Sequence, residues 1–257
     1  MGIDPHTALL NAWGLEESAK GLREFGLRVV DAAHGRVALI KPQVSFFERF
    51  GAKGFEVLGE VTNASREAGL LVIADAKRGD IGTTMDAYLE AWFGNQSGLF
   101  ADALTVSPYL GIGTYIGNFA GYAADGKGLF SLVATSNPEG ASVQLARFQG
   151  TTIAGSQWAQ LDALNAEAEY LGNFGAVLGA TLELDRFEVR PLGLKTPVLA
   201  PGFGAQGAEL ANAKQIYGSL ASQVAYSVSR SVLQAGPSEL GRAIDESNSQ
   251  LIEGLSK

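Results

Sequence analysis

Residues 70–82 read Leu-Leu-Val-Ile-Ala-Asp-Ala-Lys-Arg-Gly-Asp-Ile-Gly, a run of five apolar residues followed at once by a cluster of charges. An uninterrupted apolar run, with no alternating polar residues, is typical of a parallel strand that is buried on both faces. The charged residues begin where such a strand would end. The stretch therefore predicts an α/β fold in which chemistry is carried at the carboxyl ends of buried strands.

Similar short apolar runs recur along the chain, and most intervals between them contain an amphipathic helical pattern. With Met1–Ile3 counted as a short first strand, there are eight strand candidates. Eight βα units predict a single-domain (β/α)8 TIM-type barrel over residues 1–257, with a doubly wound open sheet as the alternative. The remaining runs are Val37–Ile40, Ala101–Val106, Leu129–Ala134, Phe174–Ala180, Pro197–Ala200 and Gln223–Val228.

Two intervals carry more specific expectations. The pattern predicts a helix over Gly155–Leu171, whose acidic residues between Asp162 and Glu169 would form a solvated face. Asn137–Thr152 is the longest stretch without a regular pattern, so we expect it to be a mobile loop.

Composition excludes several classes of protein. Hydrophobic residues make up 46% of the chain and charged residues 18%, which argues against disorder. The net charge of −8 argues against a dedicated partner among nucleic acids or anionic membranes, although a few local cations could still hold one phosphate. No apolar run approaches the roughly 18–20 residues of a membrane span.

The chain contains no cysteine and only two histidines, His6 and His34. Disulfides, thiolate nucleophiles and thiolate metal sites are therefore excluded, as is a three-histidine metal centre. The composition is compatible with the reducing cytoplasm.

The charged residues after the apolar runs form a candidate chemical site. In an extended segment Asp75 and Lys77 share a face, and Lys41 ends the preceding strand. Each ammonium would favour the ionised carboxylate, and the carboxylate would favour both ammonium groups. Such an array suits chemistry in which one negative charge departs and another must be stabilised; the alternative is a purely structural ion pair.

Gly202-Phe203-Gly204-Ala205-Gln206-Gly207 matches G-x-G-x-x-G, which by itself is a weak signal for a dinucleotide site. In a barrel, however, the loops after the last two strands commonly bind phosphate. Glycines let backbone N–H groups approach the phosphate oxygens, and Arg230 could add a bidentate contact. The alternative is a plain turn.

These segments together resemble orotidine 5'-phosphate decarboxylases, in particular a bacterial subgroup that includes actinobacterial enzymes. The Asp75–Thr84 block is similar to that family's Asp-x-Lys-x-x-Asp motif, and with Lys41-Pro42-Gln43 it is the most specific part of the resemblance. The resemblance covers essentially the whole chain. The other similar segments are Gly2–His6, Ala134–Gly140, Pro201–Gly207 and Val228–Arg230.

The resemblance implies decarboxylation of orotidine 5'-monophosphate to UMP, the last step of pyrimidine nucleotide synthesis, by a cytoplasmic homodimer without cofactor or metal. It implies catalytic roles for Lys41, Asp75, Lys77 and Asp80. Asp75 would lie against the substrate carboxylate, and Lys77 would stabilise the C6 carbanion and then protonate it. Asp80, joined by Thr84, would reach into the neighbouring subunit's site.

The same resemblance implies the substrate contacts. Asp4 would bind a ribose hydroxyl, Lys41 would bridge the ribose and Asp75, and Ser136 would bind the pyrimidine. The phosphate would be held by the loop from Pro201 to Gly207, by the Gln206 side chain and by Arg230.

The start of the chain departs from the family, which usually has residues before the segment matching Gly2-Ile3-Asp4. A truncated start is therefore expected, with Asp4 poorly anchored on the short Met1–Ile3 strand. Two other functions stay open: a Mg²⁺-dependent sugar-phosphate decarboxylase of the same barrel superfamily, and a catalytically inactive nucleotide-binding barrel. The Thr135-Ser136-Asn137 segment favours a pyrimidine ligand over a sugar phosphate.

Overall fold

The computed structural model describes every residue from Met1 to Lys257. The strands are β1 Gly2–Ile3, β2 Leu39–Pro42, β3 Leu71–Arg78, β4 Ala103–Val106, β5 Gly128–Ala134, β6 Arg147–Phe148, β7 Thr151–Thr152, β8 Phe174–Leu178, β9 Val198–Ala200 and β10 Val224–Tyr226. Eight of them form one parallel sheet in the order β1-β2-β3-β4-β5-β8-β9-β10, and β6 and β7 form a separate hairpin. The N–H of Gly2 donates to the carbonyl of Val228 at 2.7 Å and so links β1 to the segment after β10. The predicted (β/α)8 barrel is confirmed.

Helices occupy most of the connections between strands. They are α1 Thr7–Ala12, α2 Ala19–Ala33, α3 Ser45–Glu48, α4 Gly51–Glu67, α5 Gly82–Phe93, α6 Gly113–Ala124, α7 Ala141–Gln144, α8 Ile153–Leu164, α9 Ala213–Tyr217, α10 Arg230–Leu233 and α11 Leu240–Ser256. The connection from β8 to β9 contains only a single turn of 3-10 helix, Leu184–Phe187. No helix has the length and apolarity needed to cross a bilayer, and the cytoplasmic location stays a prediction.

Alternating strand positions fill the inside of the barrel. Ile73, Ala103 and Phe130 belong to one buried cluster on β3, β4 and β5. Because side chains two residues apart share a face, the next inward positions on β3 and β4 are Asp75 and Thr105. The apolar layer therefore supports polar side chains at the carboxyl ends of the strands.

Gly175 shows how tightly this layer is packed. A Cβ atom there would lie 2.4 Å from the ring of Phe130, closer than real contacts allow. The phenylalanine ring thus occupies the interior volume that a larger residue on β8 would need.

The short strand β1 is hydrogen-bonded on both sides. The N–H of Lys41 donates to the carbonyl of Met1 at 2.9 Å, and the N–H of Gln43 donates to the carbonyl of Ile3 at 3.1 Å. The hydroxyl of Ser229 donates to Asp4 Oδ2 at 2.6 Å. The expectation that Asp4 would be poorly anchored is therefore wrong, because ladder bonds and a side-chain bond replace strand length.

The helix predicted over Gly155–Leu171 ends at Leu164, and Asp162 is buried rather than solvated. Asp162 accepts hydrogen bonds from the N–H groups of Leu192 and Gly193 and from the Thr196 hydroxyl. The Asp162 carboxylate therefore holds the segment before β9 in place by accepting the hydrogen bonds of these donors. The prediction of an acidic solvated face fails at this residue.

The segment Asn137–Thr152 is also more regular than expected. It contains a 3-10 turn, α7 and the β6–β7 hairpin. Glu188 fixes the hairpin, accepting hydrogen bonds from Arg147 at 3.0 Å and from the Thr151 hydroxyl at 2.6 Å. These contacts depend on a residue far along the chain, which local sequence pattern does not reveal.

Replacing Asp162 with alanine should lower the free energy of unfolding by about 3 kcal/mol, because buried donors lose their acceptor. Urea unfolding followed by circular dichroism measures this loss. Glu167→Ala is the matched control, since Glu167 is exposed and should tolerate the change. Equal stability of the two variants would contradict the structural role of Asp162.

Candidate active site

A cavity of about 250 Å³ opens at the carboxyl ends of the barrel strands. Its polar residues come from β2, β3 and β4 and from the segments that follow β1, β2, β5, β9 and β10. The lining residues are Asp4, Lys41, Gln43, Asp75, Lys77, Thr105, Leu132, Thr135, Val177, Leu199, Pro201, Gly202, Phe203, Ala205, Gln206, Ser227, Ser229 and Arg230.

A carboxylate between two ammonium groups occupies one end of this cavity. Lys41 Nζ donates to Asp75 Oδ2 at 2.9 Å, and Lys77 Nζ donates to Asp75 Oδ1 at 2.5 Å. Lys41 and Asp75 are buried, whereas 44% of the Lys77 side chain is exposed. Lys77 is thus the member of the array that an incoming molecule can contact most freely.

Burial alone would raise the pKa of Asp75, but the charges of Lys41 and Lys77 outweigh burial and hold that pKa well below its usual range. Burial would lower the pKa of Lys41, yet the charges of Asp75 and Asp4 raise it above its ordinary value. Asp75 is therefore ionised and Lys41 protonated at neutral pH. The stabilisation from Asp75 is lost as pH falls through its lowered pKa, and that from Lys41 only as pH rises through its raised pKa.

Asp75 and Lys77 meet through an irregular backbone rather than through simple strand alternation. Ala74 pairs with Leu104 and Arg78 with Val106, so three residues of β3 lie opposite one residue of β4. Lys77 has a φ of 52°, in the left-handed region that non-glycine residues seldom adopt. The sequence predicts the shared face, but it does not reveal this bulge.

Asp4 offers an unused acceptor to the cavity. Its Oδ2 atom is bonded to Ser229, while Oδ1 is buried and has no hydrogen-bond partner in the protein. A buried carboxylate oxygen without a donor is costly. A ligand hydroxyl at this position would supply the missing hydrogen bond.

The cavity is also lined by Arg230 and by the glycine-rich loop after β9, a strand that lies across the barrel from β3. Gly202 and Gly204 have φ values of 118° and 73°, which favour glycine. A Cβ on Gly204 would also lie 2.3 Å from the Ser231 hydroxyl. Backbone N–H groups, the Gln206 amide and the exposed guanidinium of Arg230 are suited to binding an anion.

Seven of the eleven site residues predicted from sequence line this cavity: Asp4, Lys41, Asp75, Lys77, Pro201, Gln206 and Arg230. Four do not. Gly207 closes the glycine loop beside it, and Ser136 is exposed next to Thr135, which does line it. Asp80 accepts a hydrogen bond from the Ile81 N–H at 2.8 Å, and Thr84 is exposed at the start of α5.

Sequence reasoning missed Thr105 and Ser227, because both lie within apolar runs that predict buried strands. Thr105 donates to Asp75 Oδ1 and accepts from the N–H of Lys77, both at 3.0 Å. A usable signal was present: Thr105 stands two residues after Ala103, on the inward face of its strand. A hydroxyl at an inward position near the carboxyl end of a strand points to the site.

Comparisons with known proteins agree on one family. The profile described as orotidine 5'-phosphate decarboxylase / HUMPS family matches residues 1–243. The orotidine 5'-phosphate decarboxylase of Streptomyces coelicolor is 49% identical over 239 residues, which cover 92% of this chain and 85% of that protein. The Corynebacterium glutamicum (strain R) enzyme of the same name is 44% identical over 246 residues, which cover 92% and 86%.

Solved structures give the same result. The crystal structure of a candidate orotidine 5'-phosphate decarboxylase from Streptomyces avermitilis has a TM-score of 0.93 and 46% identity, covering 100% of this chain and 90% of its own. The Leishmania donovani OMP decarboxylase has a TM-score of 0.77 and 29% identity, covering 98% and 92%.

Asp75→Asn should lower the free energy of unfolding at pH 7 by roughly 3–5 kcal/mol, because it leaves the buried Lys41 ammonium without its counter-charge. Urea denaturation measures the change. Asp245→Asn is the control, since it removes only an exposed ion pair with Arg36 and should have little effect. Wild-type stability for Asp75→Asn would show that the array contributes nothing to the fold.

Proposed function

This chain belongs to the orotidine 5'-phosphate decarboxylase / HUMPS family, and we propose that it converts orotidine 5'-monophosphate to UMP and CO2 in pyrimidine nucleotide synthesis. One observation carries the proposal: a single cavity is lined both by the Lys41–Asp75–Lys77 array and by a glycine-rich loop with Arg230 that is suited to an anion. A nucleotide has a phosphate and a reacting base at opposite ends, which matches this arrangement.

The phosphate would bind to the loop from Pro201 to Gly207, the Gln206 side chain and Arg230. The ribose would then lie between Asp4, whose Oδ1 lacks a partner, and Lys41. Ser136 is exposed beside the cavity, so its hydrogen bond to the pyrimidine requires the segment after β5 to close over the substrate. Phosphate contacts far from the reacting carbon can drive such closure and thereby raise the rate.

In the reaction, the bond between C6 and the carboxylate breaks, its electron pair stays on C6, and neutral CO2 leaves. Asp75 would lie beside the departing carboxylate and disfavour its negative charge in the ground state. The Lys77 ammonium would stabilise the carbanion at C6 and then transfer a proton to it, giving UMP. The resulting neutral amine regains its proton from solvent.

The surroundings make this electrostatic stabilisation effective. Lys77 is already held by Asp75, so little reorganisation is needed when the carbanion forms. Leu132, Val177 and Leu199 also line the cavity, and their apolar side chains lower its polarity. Charge interactions are stronger in such a medium than in water.

We propose a homodimer in which Asp80 and Thr84 complete the neighbouring subunit's site. Neither residue lines this chain's own cavity. Three large apolar side chains are exposed on the adjacent segments after β3 and β4: Ile81 at 60%, Tyr109 at 80% and Leu110 at 52%. Exposed apolar groups of this size suit a self-complementary interface.

The purified protein should convert orotidine 5'-monophosphate to UMP, followed by ultraviolet absorbance, equally well with and without EDTA. Lys77→Ala should lower kcat by at least roughly 10³-fold, because it removes both the stabilising charge and the proton donor. Lys53→Ala, on the exposed face of α4, is the control and should keep full activity.

Near-full turnover by Lys77→Ala would reject the mechanism. Loss of activity in EDTA would instead favour a metal-dependent sugar-phosphate decarboxylase. Tight UMP binding by a folded protein that turns over no substrate would favour an inactive nucleotide-binding barrel.

Sharing of the site between subunits can be tested by complementation. Lys77→Ala and Asp80→Asn should each be nearly inactive alone, yet co-expressed they should recover roughly a quarter of wild-type activity. Half of randomly assembled dimers are hybrids, and each hybrid has one intact site of two. Lys77→Ala with Asp75→Asn is the matched control and should show no recovery, because both residues act in the same subunit. No recovery with Asp80→Asn would argue against a shared site.

A further inference from the structure

The β3–β4 pair contains a bulge at the centre of the candidate active site. Asp75, Ala76 and Lys77 have no paired residue on β4, because the register moves from Ala74–Leu104 directly to Arg78–Val106. The residue that faces this gap is Thr105. Bulges next to active sites commonly redirect a side chain, at the cost of ladder hydrogen bonds.

The Thr105 hydroxyl replaces part of the missing ladder. Its Oγ1 accepts the N–H of Lys77 and donates to Asp75 Oδ1, both at 3.0 Å. Only 1% of Thr105 is exposed, so water does not compete for either bond. A hydroxyl has both a donor and free lone pairs, whereas valine, which has the same shape, has neither.

These two hydrogen bonds of Thr105 act on both Lys77 and Asp75. The bond to the Lys77 N–H holds that residue at its φ of 52°, a conformation that needs support from its surroundings. The bond to Asp75 Oδ1 fixes the same carboxylate oxygen that accepts the hydrogen bond from the Lys77 ammonium. One side chain therefore sets the backbone of Lys77 and the orientation of Asp75 together.

We propose that Thr105 is a positioning residue for decarboxylation, which holds the Asp75–Lys77 pair in its reactive geometry without contributing charge or a proton. The inference rests on the proposed function, since it assigns Thr105 to that reaction. The role predicts an effect on turnover rather than on binding, because the side-chain hydrogen bonds of Thr105 go to Lys77 and Asp75 and not to the phosphate loop, Arg230 or Asp4.

Thr105→Val should lower kcat roughly 10- to 100-fold with little change in KM, since small misplacements of reacting groups have effects of this size. Thr105→Ser keeps the hydroxyl and should restore most of the activity. In Thr105→Val the backbone amide of Lys77 should also exchange its hydrogen faster than in the wild type, measured by nuclear magnetic resonance.

Thr196→Val is the matched control. Thr196 is also buried, and its hydroxyl donates to Asp162 at 2.9 Å and accepts from Asn165 at 3.0 Å, away from the cavity. The Thr196→Val variant should lose stability as Thr105→Val does but keep the wild-type kcat. The comparison therefore separates a positioning role from general destabilisation.

Wild-type kcat in Thr105→Val, an equal defect in Thr105→Ser, or unchanged exchange of the Lys77 amide would each overturn the inference. If the wild-type protein fails to decarboxylate orotidine 5'-monophosphate, the proposed function fails. The amide-exchange comparison still tests the geometric role of Thr105 in that case.

Discussion

The buried ion pair between Lys41 and Asp75 is the interaction on which the candidate site depends. Moving either charge out of water costs several kcal/mol, and only a close opposite charge offsets that cost. Lys41 lies on β2 and Asp75 on β3, so the pair also joins two neighbouring strands. Lys77 adds a second positive charge to the same carboxylate at the edge of the cavity. The groups proposed for chemistry are therefore also part of what holds this end of the barrel together.

The barrel explains why these groups meet. Parallel strands place their carboxyl ends at one rim, and the two-residue period of each strand points alternate side chains inward. Ile73 and Ala103 fill the inward positions below, and Asp75 and Thr105 take the next ones. The apolar layer beneath limits access of water, which makes the charges above it more effective.

Much of this could be predicted from sequence. The continuous apolar runs give the strand count, and the residues after them give Lys41, Asp75 and Lys77, because burial and strand period are local properties. The failures share a different cause. Asp162, the hairpin held by Glu188 and the hydrogen bonds of Thr105 all depend on partners distant in sequence. A burial pattern shows that such a residue is inside, but it does not show which donor or acceptor it meets there.

Closure of the barrel between β1 and the segment after β10 also determines when the site forms during synthesis. The Ser229 hydroxyl bonds to Asp4 although 225 positions separate them, and both residues line the cavity. During synthesis Lys41 and Asp75 leave the ribosome long before Ser229 does, so the cavity that these residues line together is incomplete in the nascent chain. Contacts of such long sequence separation form late and slowly. The complete cavity is therefore among the last features that each newly made polypeptide acquires.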